Sequence, residues 1–493
     1  MQGKFVKYLS LLLVLNLLIK PFWILGIDRS VQNAVGAGEY GMYFALFNFS
    51  FLFNILLDLG ITNFNNKNIS QNNYLLTKYL SNILVLKFVL FGLYLVVTLT
   101  IALFVNYSQE QLNLLYILTF NQFLSSFILY LRSNLGGLHL FRSDSFISVL
   151  DKTLMIIICA VLLWGNVVSE FRIQYFIYAQ TAGYLLSAVI TFLLVFGRTS
   201  KPDLRLIWNF PFLLAIIRQS FPYALLVLLM TFHNRIDSVM LERMLPDGAS
   251  YSGIYAAAYR LLDAANMIPY LFAVLLLPIF ARMIKQKQDV IPLVRLAFTL
   301  LIVPAVIVAV VSFTYAEQIM TLLYPVHHAE TQADFAFRIM ESSRVFGLLM
   351  VCFMAISTTY IIGTLLTANG SLRHLNIVAT MGVLLNIVLN LVLIPRYLST
   401  GSAVATLITQ LAIACVQLVL LRRLFSFQVQ ILFVLRIMVF MALTGLMGVL
   451  SLQSPFDWKI NVLAITAASL LLAMLLKVLR PGFIYQLIRY GDV

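Results

Sequence analysis

The sequence predicts an all-α protein that crosses a membrane about fourteen times. Three observations lead there. The 493 residues are 61% hydrophobic and only 11% charged, whereas a soluble domain is about 45–50% apolar and about 25% charged. The apolar residues gather into runs of about 20, the length a helix needs to cross the hydrocarbon core. Basic residues cluster in alternate connections between these runs, as the positive-inside rule requires. The connections are short, so no room is left for a folded extramembrane domain.

The first run, roughly 8–29, follows Lys4 and Lys7 and contains Lys20-Pro21. A basic start before an apolar core is also how a signal peptide opens. However, Lys20-Pro21 interrupts the core and no small-residue cleavage site follows, so an uncleaved span is expected. Further runs lie at roughly 42–63, 80–105, 112–132, 145–165, 174–196, 219–243, 254–282, 293–315, 342–367, 374–395, 402–422, 431–451 and 460–479. The fourth is interrupted by Gln122 and the serines beyond it.

Charge in the connections fixes the threading. With the N-terminus inside, cytoplasmic segments carry Lys67 and Lys78, Arg132 and Arg142, Lys201 and Arg205, Lys285 and Lys287, Arg422 and Arg423, and finally Lys477, Arg480 and Arg489. Opposite connections hold acids such as Glu39, Glu110, Glu170, Asp247, Glu330 and Asp457. Only the short turn bearing Arg396 departs from the pattern. Both termini are therefore expected in the cytoplasm. The net charge of +14 needs no nucleic acid, because topology signal and attraction to anionic lipid account for it. The three cysteines lie in apolar runs without metal-ligand spacing and are expected as small buried hydrophobes. His327-His328 with Glu330 and Asp334 is a poor metal set, since adjacent histidines point apart on a helix.

Charges inside the spans are the candidate functional residues, because burying one at membrane depth costs at least a few kcal/mol. His233-Asn234-Arg235-Ile236-Asp237 lies in one apolar run and Arg260 with Asp263 in the next. Arg260 and Asp263 share a helical face, as do His233 and Asp237. These acids and arginines either line a polar lumen or fasten the two spans together. Lys20 and Arg344 are further intramembrane cations; Arg344 also suits an outer-interface anchor. Lys87 and Lys152 lie nearer span ends and are expected to snorkel to the interface. Asp58, also near an end, leaves a gate or cap role open. No phosphate-cradling glycine loop is present, so ATP hydrolysis by the chain is not expected. No catalytic constellation, metal or other cofactor is called for.

Two blocks repeat in one orientation: Glu39-Tyr40-Gly41-Met42-Tyr43-Phe44-Ala45 and Tyr251-Ser252-Gly253-Ile254-Tyr255-Ala256-Ala257. Each follows a span and a short acidic turn and opens the next span. A parallel repeat about an axis along the membrane normal predicts two bundles of six or seven helices with a cleft between them.

The stretch Leu384-Leu385-Asn386-Ile387-Val388-Leu389-Asn390-Leu391-Val392-Leu393-Ile394-Pro395, then Gly401-Ser402-Ala403-Val404-Ala405-Thr406, resembles the late-span signature of polysaccharide flippases of the multidrug/oligosaccharidyl-lipid/polysaccharide (MOP) exporter superfamily. The blocks at 234–237, 253–260 and 266–269 are similar to that family's middle spans, and Glu39-Tyr40-Gly41 with Leu57-Asp58-Leu59-Gly60 to its early ones. One departure stands out: the family often has a second glycine in the turn after the proline, where this chain has Tyr397-Leu398-Ser399-Thr400. The resemblance covers almost the whole chain. It implies two pseudo-symmetric lobes working by alternating access: 1–200 with spans 1–6, 201–430 with spans 7–12, and two added spans and a cytoplasmic tail in 431–493. It further implies a flippase for an undecaprenyl-diphosphate-linked oligosaccharide (an O-antigen, capsule or exopolysaccharide unit) in a bacterial inner membrane. Such a protein works beside membrane lipid, with a glycan polymerase of the same pathway as a partner, and as a monomer. Its diphosphate would be met by Arg235, Arg260, Lys20 and Arg344, with Asp237, Asp263 and His233 as ion-pair or coupling groups. A drug/cation antiporter of the same superfamily is the first alternative and a membrane enzyme of the glycan pathway the second.

Overall fold

A computed structural model describes residues 2–72, 74–198, 210–425 and 430–479. Among these the elements are helices joined by turns, with no strand. In chain order they are α1 (Gln2–Phe22), a π-helical stretch (Trp23–Asp28), α2 (Arg29–Leu52), a 3₁₀ turn (Asn54–Leu57), α3 (Ile61–Gln71), α4 (Leu75–Phe104), α5 (Gln109–Gly137), α6 (Phe141–Trp164), α7 (Ile173–Phe196), α8 (Phe210–Met244), α9 (Gly248–Lys285), α10 (Ile291–Thr314), α11 (Ala316–Leu323), α12 (Gln332–Ala368), α13 (Leu372–Phe425), α14 (Ile431–Ser451) and α15 (Trp458–Leu475).

Twelve helical stretches of the described residues are long and apolar enough to cross a membrane. Two of them are double. Leu11–Leu52 breaks at Gly36 (φ 79°, ψ 171°), a conformation open to glycine because it lacks a Cβ. The Tyr40 hydroxyl then donates to Asp28 at 2.9 Å, although twelve residues of continuous helix would separate them by about 18 Å. Gly36 is therefore the tip of a hairpin. Leu372–Phe425 breaks in the same way at Leu398 (φ 54°, ψ −135°). With each hairpin counted as two spans, the number is fourteen, as the sequence predicts.

Boundaries moved where local chemistry overrides hydropathy. The second span starts just after Gly36 and gives way to a 3₁₀ turn after Leu52, rather than running 42–63. Leu59 and Gly60 adopt positive φ there (44° and 85°), and α3 follows as a separate, mostly polar helix. Pro21 removes an N–H from the first span, and the helix widens to π geometry just beyond it.

The chain divides into two compact units, Met1–Ala256 and Ala257–Val493. In the first, α1 packs on α6, α5 on α7 and α3, and α2 on α8 and α5. Its cores include Leu80, Ile83, Tyr130, Leu131 and Leu135 in one cluster and Tyr94, Phe123, Leu124 and Ile128 in another. Ser108 and Gln111 form a reciprocal capping box that starts α5. Gln122 and Ser126, which interrupt the hydropathy of α5, are buried and take hydrogen bonds from Asn54 (2.8 Å) and Lys87 (3.2 Å). They are polar because that face looks into the bundle.

In the second unit, α12 packs on α10 and on the α13 hairpin, and α14 and α15 pack on α10. Ile302, Val306, Phe440 and Ile465 are the heart of that last contact. The Tyr315 hydroxyl and the Ser451 hydroxyl are 2.7 Å apart. The Tyr324 hydroxyl donates to the Ala257 carbonyl at 3.0 Å. Asn386 and Asn390 are buried and bond one another at 3.1 Å. Cys159 and Cys352 are buried as expected, but Cys415 is exposed on the α13 surface, where lipid makes an apolar thiol no less comfortable.

Candidate functional site

The site is best built from the place where α2 meets α8 and the first turns of α9. Gly41 lies against the Ala249 carbonyl and Gly253 against the Ala37 carbonyl; a Cβ on either glycine would collide with that oxygen. Each contact is the image of the other, residue i of one block on residue i − 4 of the second. The repeat seen in the sequence is thus a pseudo-two-fold crossing of two backbones, which small residues permit. Polar side chains surround it. Gln32 Nε2 donates to the Gly253 carbonyl (3.0 Å), Asn48 Nδ2 to Ser238 Oγ (2.7 Å), and Gln180 Nε2 to the Tyr43 hydroxyl (2.9 Å). Sequence reasoning passed over Gln32, Asn48 and Gln180, since single amides in apolar runs are usually packing glue. Gln32 and Asn48 flank the first Gly-x-Tyr block, which was the available signal; Gln180, 137 residues from Tyr43, had none.

Span seven brings its charges to this region. Asp237 is buried and accepts the Tyr255 hydroxyl at 2.8 Å. Asp28 with Tyr40 is the same carboxylate–phenol pairing in the other half of the repeat. The Arg235 guanidinium lies 5.5 Å from the centre of the Phe51 ring, a cation–π distance. His233 is buried with neither ring nitrogen bonded to a described residue. Arg260 and Asp263 pair across one turn of α9 at 3.6 Å, with side chains 13% and 17% exposed.

Lys20, half-buried in α1, has Asp151, Arg132 and Lys152 as its charged neighbours. Lys152 does not snorkel: its ammonium bonds the Tyr184 hydroxyl (3.1 Å) and faces the Tyr184 and Trp23 rings at 4.8 and 5.3 Å. Lys87 does not snorkel either. It is 1% exposed and held by Asp58 (2.6 Å), the Leu57 carbonyl (2.9 Å) and Ser126. Asp58 also takes the Thr62 hydroxyl and backbone N–H at the start of α3. In both cases a partner inside the bundle outbids the route to water. Arg344 is exposed on α12, in the same unit of the chain as Arg260 and Asp263. At the far end of α8, Arg243 and Glu242 join Gln111, and Arg243 stacks on Tyr107 at 3.9 Å, tying this helix end to the α4–α5 turn.

The sequence model of the family described as polysaccharide biosynthesis protein matches residues 30–284, more than half of the chain. The chain belongs to that family. The matched stretch contains both Gly-x-Tyr blocks, Arg235, Asp237, Arg260 and Asp263. No curated protein sequence gives a significant match. Among solved structures, the chain is similar to the lipid II flippase MurJ in an inward closed conformation (TM-score 0.63, 16% identity, 95% of this chain and 98% of that one). It is similar to an outward-facing multidrug resistance MATE family transporter of the MOP superfamily (0.58, 14%, 85% and 96%). A third is a MOP superfamily transporter from Pyrococcus furiosus described by the reverse polarity of its binding pocket (0.53, 14%, 85% and 96%). At such identities the likeness establishes the fold. Family and fold together describe a polysaccharide biosynthesis protein that has the fold of these transporters.

Proposed function

We propose that the protein flips an undecaprenyl-diphosphate-linked oligosaccharide from the inner to the outer leaflet of a bacterial inner membrane, by alternating access of two lobes. The lobes are those the repeat suggests, 1–200 and 201–430, with 431–493 adding two spans and a cytoplasmic tail. The observation that carries the reading is the set of intramembrane cations in a polysaccharide biosynthesis family member: Lys20, Arg235, Arg260 and Arg344. A diphosphate suits arginine, whose planar fork matches phosphate oxygens. By number, Asp237 and Asp263 cancel Arg235 and Arg260. They differ in access: Asp237 is 1% exposed and engaged by Tyr255, whereas Arg235, Arg260 and Asp263 are all only partly buried, which leaves two accessible cations against one accessible acid. The accessible sign is therefore positive. Asp237, Asp263 and His233 are assigned to ion pairing or coupling. The glycan polymerase of the pathway is the expected partner, and the monomer the working unit.

The test is to neutralise Lys20, Arg235 and Arg260 together with glutamine. The variant should insert normally, yet surface glycan export should stop and lipid-linked intermediate should accumulate inside. Normal export by this variant, with export abolished by Asp237→Asn plus Asp263→Asn, would instead establish a cation antiporter. That alternative is physically sound because the fold also carries MATE transporters.

A further inference from the structure

A second polar feature lies far along the chain from these charges. The start of α10, the start of α14 and the turn after α15 enclose a cavity of about 220 Å³. Arg295, Arg436 and Lys477 line it, one from each element, with Thr299 and Phe433 between them. No carboxylate is among its lining residues, and none of the three cations has an ion pair among the described residues. Arg295 Nε is buried and has no acceptor among the described residues, its guanidinium lying 5.7 Å from the Phe433 ring centre. Three like charges converging without a counter-charge repel one another, and a buried N–H without an acceptor costs about 1–3 kcal/mol. The same end carries the N-terminus of α14, which has no side-chain cap, and that of α10, whose first N–H is bonded by the Asp289 carboxylate at 2.9 Å. The α14 macrodipole adds positive potential.

The surroundings specify what kind of anion fits. The cavity is smaller than the roughly 300–1,000 Å³ that encloses a whole ligand, so it suits a head group with its tails outside. Leu432, Leu435 and Leu475 beside it are 58%, 53% and 79% exposed, an apolar surface on which acyl chains would lie. By the charge threading this end of the helices is cytoplasmic, where anionic lipids concentrate. We infer that Arg295, Arg436 and Lys477 form a binding site for the phosphate of an anionic glycerophospholipid of the cytoplasmic leaflet. The lipid would hold α14 and α15 against α10. This site is independent of what the protein transports.

The full-length protein, purified in detergent, supplies the test. Wild type should retain phosphatidylglycerol in native mass spectrometry, and short-chain phosphatidylglycerol should raise its unfolding temperature while the phosphatidylcholine analogue does not. Each of Arg295→Gln, Arg436→Gln and Lys477→Gln should weaken that binding about fivefold, the factor expected per basic residue near an anionic surface. The double variant Arg422→Gln, Arg423→Gln removes two exposed charges outside the cavity and should bind as wild type does. Equal binding by the cavity variants and wild type overturns the site. Equal protection by phosphatidylcholine overturns the anionic preference. Protection by inorganic phosphate alone makes it a free-anion site, and protection only by undecaprenyl diphosphate makes it part of the transport path; either outcome overturns the phospholipid assignment. Because the single variants keep two of the three charges, a fold defect in any one leaves the other two to decide.

Discussion

Lys87 and Asp58 form the ion pair in the first unit whose energetics are best determined by burial. Lys87 is 1% exposed and Asp58 25%, and every bond to the ammonium comes from inside the unit. Removing one partner of a buried pair leaves a charge that nothing solvates, at a cost of roughly 3–5 kcal/mol. Lys87→Met should fall at the low end of that range, because Asp58 keeps some exposure and its bonds to Thr62. Asp58→Asn should cost more than Lys87→Met, since it strands the buried ammonium. The double variant should be more stable than Asp58→Asn alone, as measured by thermal unfolding in detergent. If the two single costs simply add, the pair is not coupled and the assignment fails. A second residue-scale case lies outside the membrane. Burial alone would raise the Glu330 carboxyl, but the Arg338 guanidinium, bonded at 2.7 and 3.0 Å, and the His327 backbone N–H hold it below its ordinary value. A carboxyl depressed on folding adds stability above its unfolded pKa of about 4.3, lost as pH falls through the folded value. Wild type should therefore lose stability below about pH 4 more steeply than Glu330→Gln. Parallel acid curves for the two proteins would refute the contribution.

The hairpins carry the next level of argument. The family's usual second glycine after the proline is missing, yet the turn forms, and Leu398 occupies the backbone conformation that glycine would take. A non-glycine residue at positive φ with ψ near −135° is strained by about 1–3 kcal/mol. The buried Glu341 offsets part of this by accepting the Thr400 N–H at 2.8 Å. Leu398→Gly should be neutral or stabilising by up to about 1 kcal/mol, the strain relief being reduced by glycine's unfolded entropy. Leu398→Val should destabilise, since a β-branched side chain fits that conformation worst. Unfolding temperatures ordered Val above Leu above Gly would show that the turn stores no strain. Fourteen spans and a parallel repeat were legible because hydropathy, charge and the Gly-x-Tyr blocks are properties of the chain itself. The burial of Lys87 was not legible, because its partner Asp58 is 29 residues away, and the bond that buries Glu341 is hidden in the same way, Thr400 being 59 residues away. Such partners become visible only when spans are assigned to neighbours.

At the scale of the whole molecule the sequence makes one statement that helices alone cannot: which end of each span faces the cytoplasm. Charge segregation orders all connections at once, so one misplaced span would invert every later assignment. The two hairpins are where such a slip would occur, since each joins two crossings through a break of a single residue, Gly36 or Leu398. Had either been a single kinked span, the connections beyond it would change sides, and Arg422 with Arg423 or Lys285 with Lys287 would lie outside. Reporter fusions after Asp247 and Glu330 should therefore read as external. Fusions near Lys287 and near Lys201, the latter outside the described residues, should read as cytoplasmic. A fusion after Arg423, beyond the Leu398 hairpin, should also read as cytoplasmic. Reversal of the Arg423 reporter alone would mean that 372–425 crosses once. Reversal of all five would place the N-terminus outside and move the Arg295–Arg436–Lys477 cavity to the other leaflet, away from the anionic lipid it is built to hold.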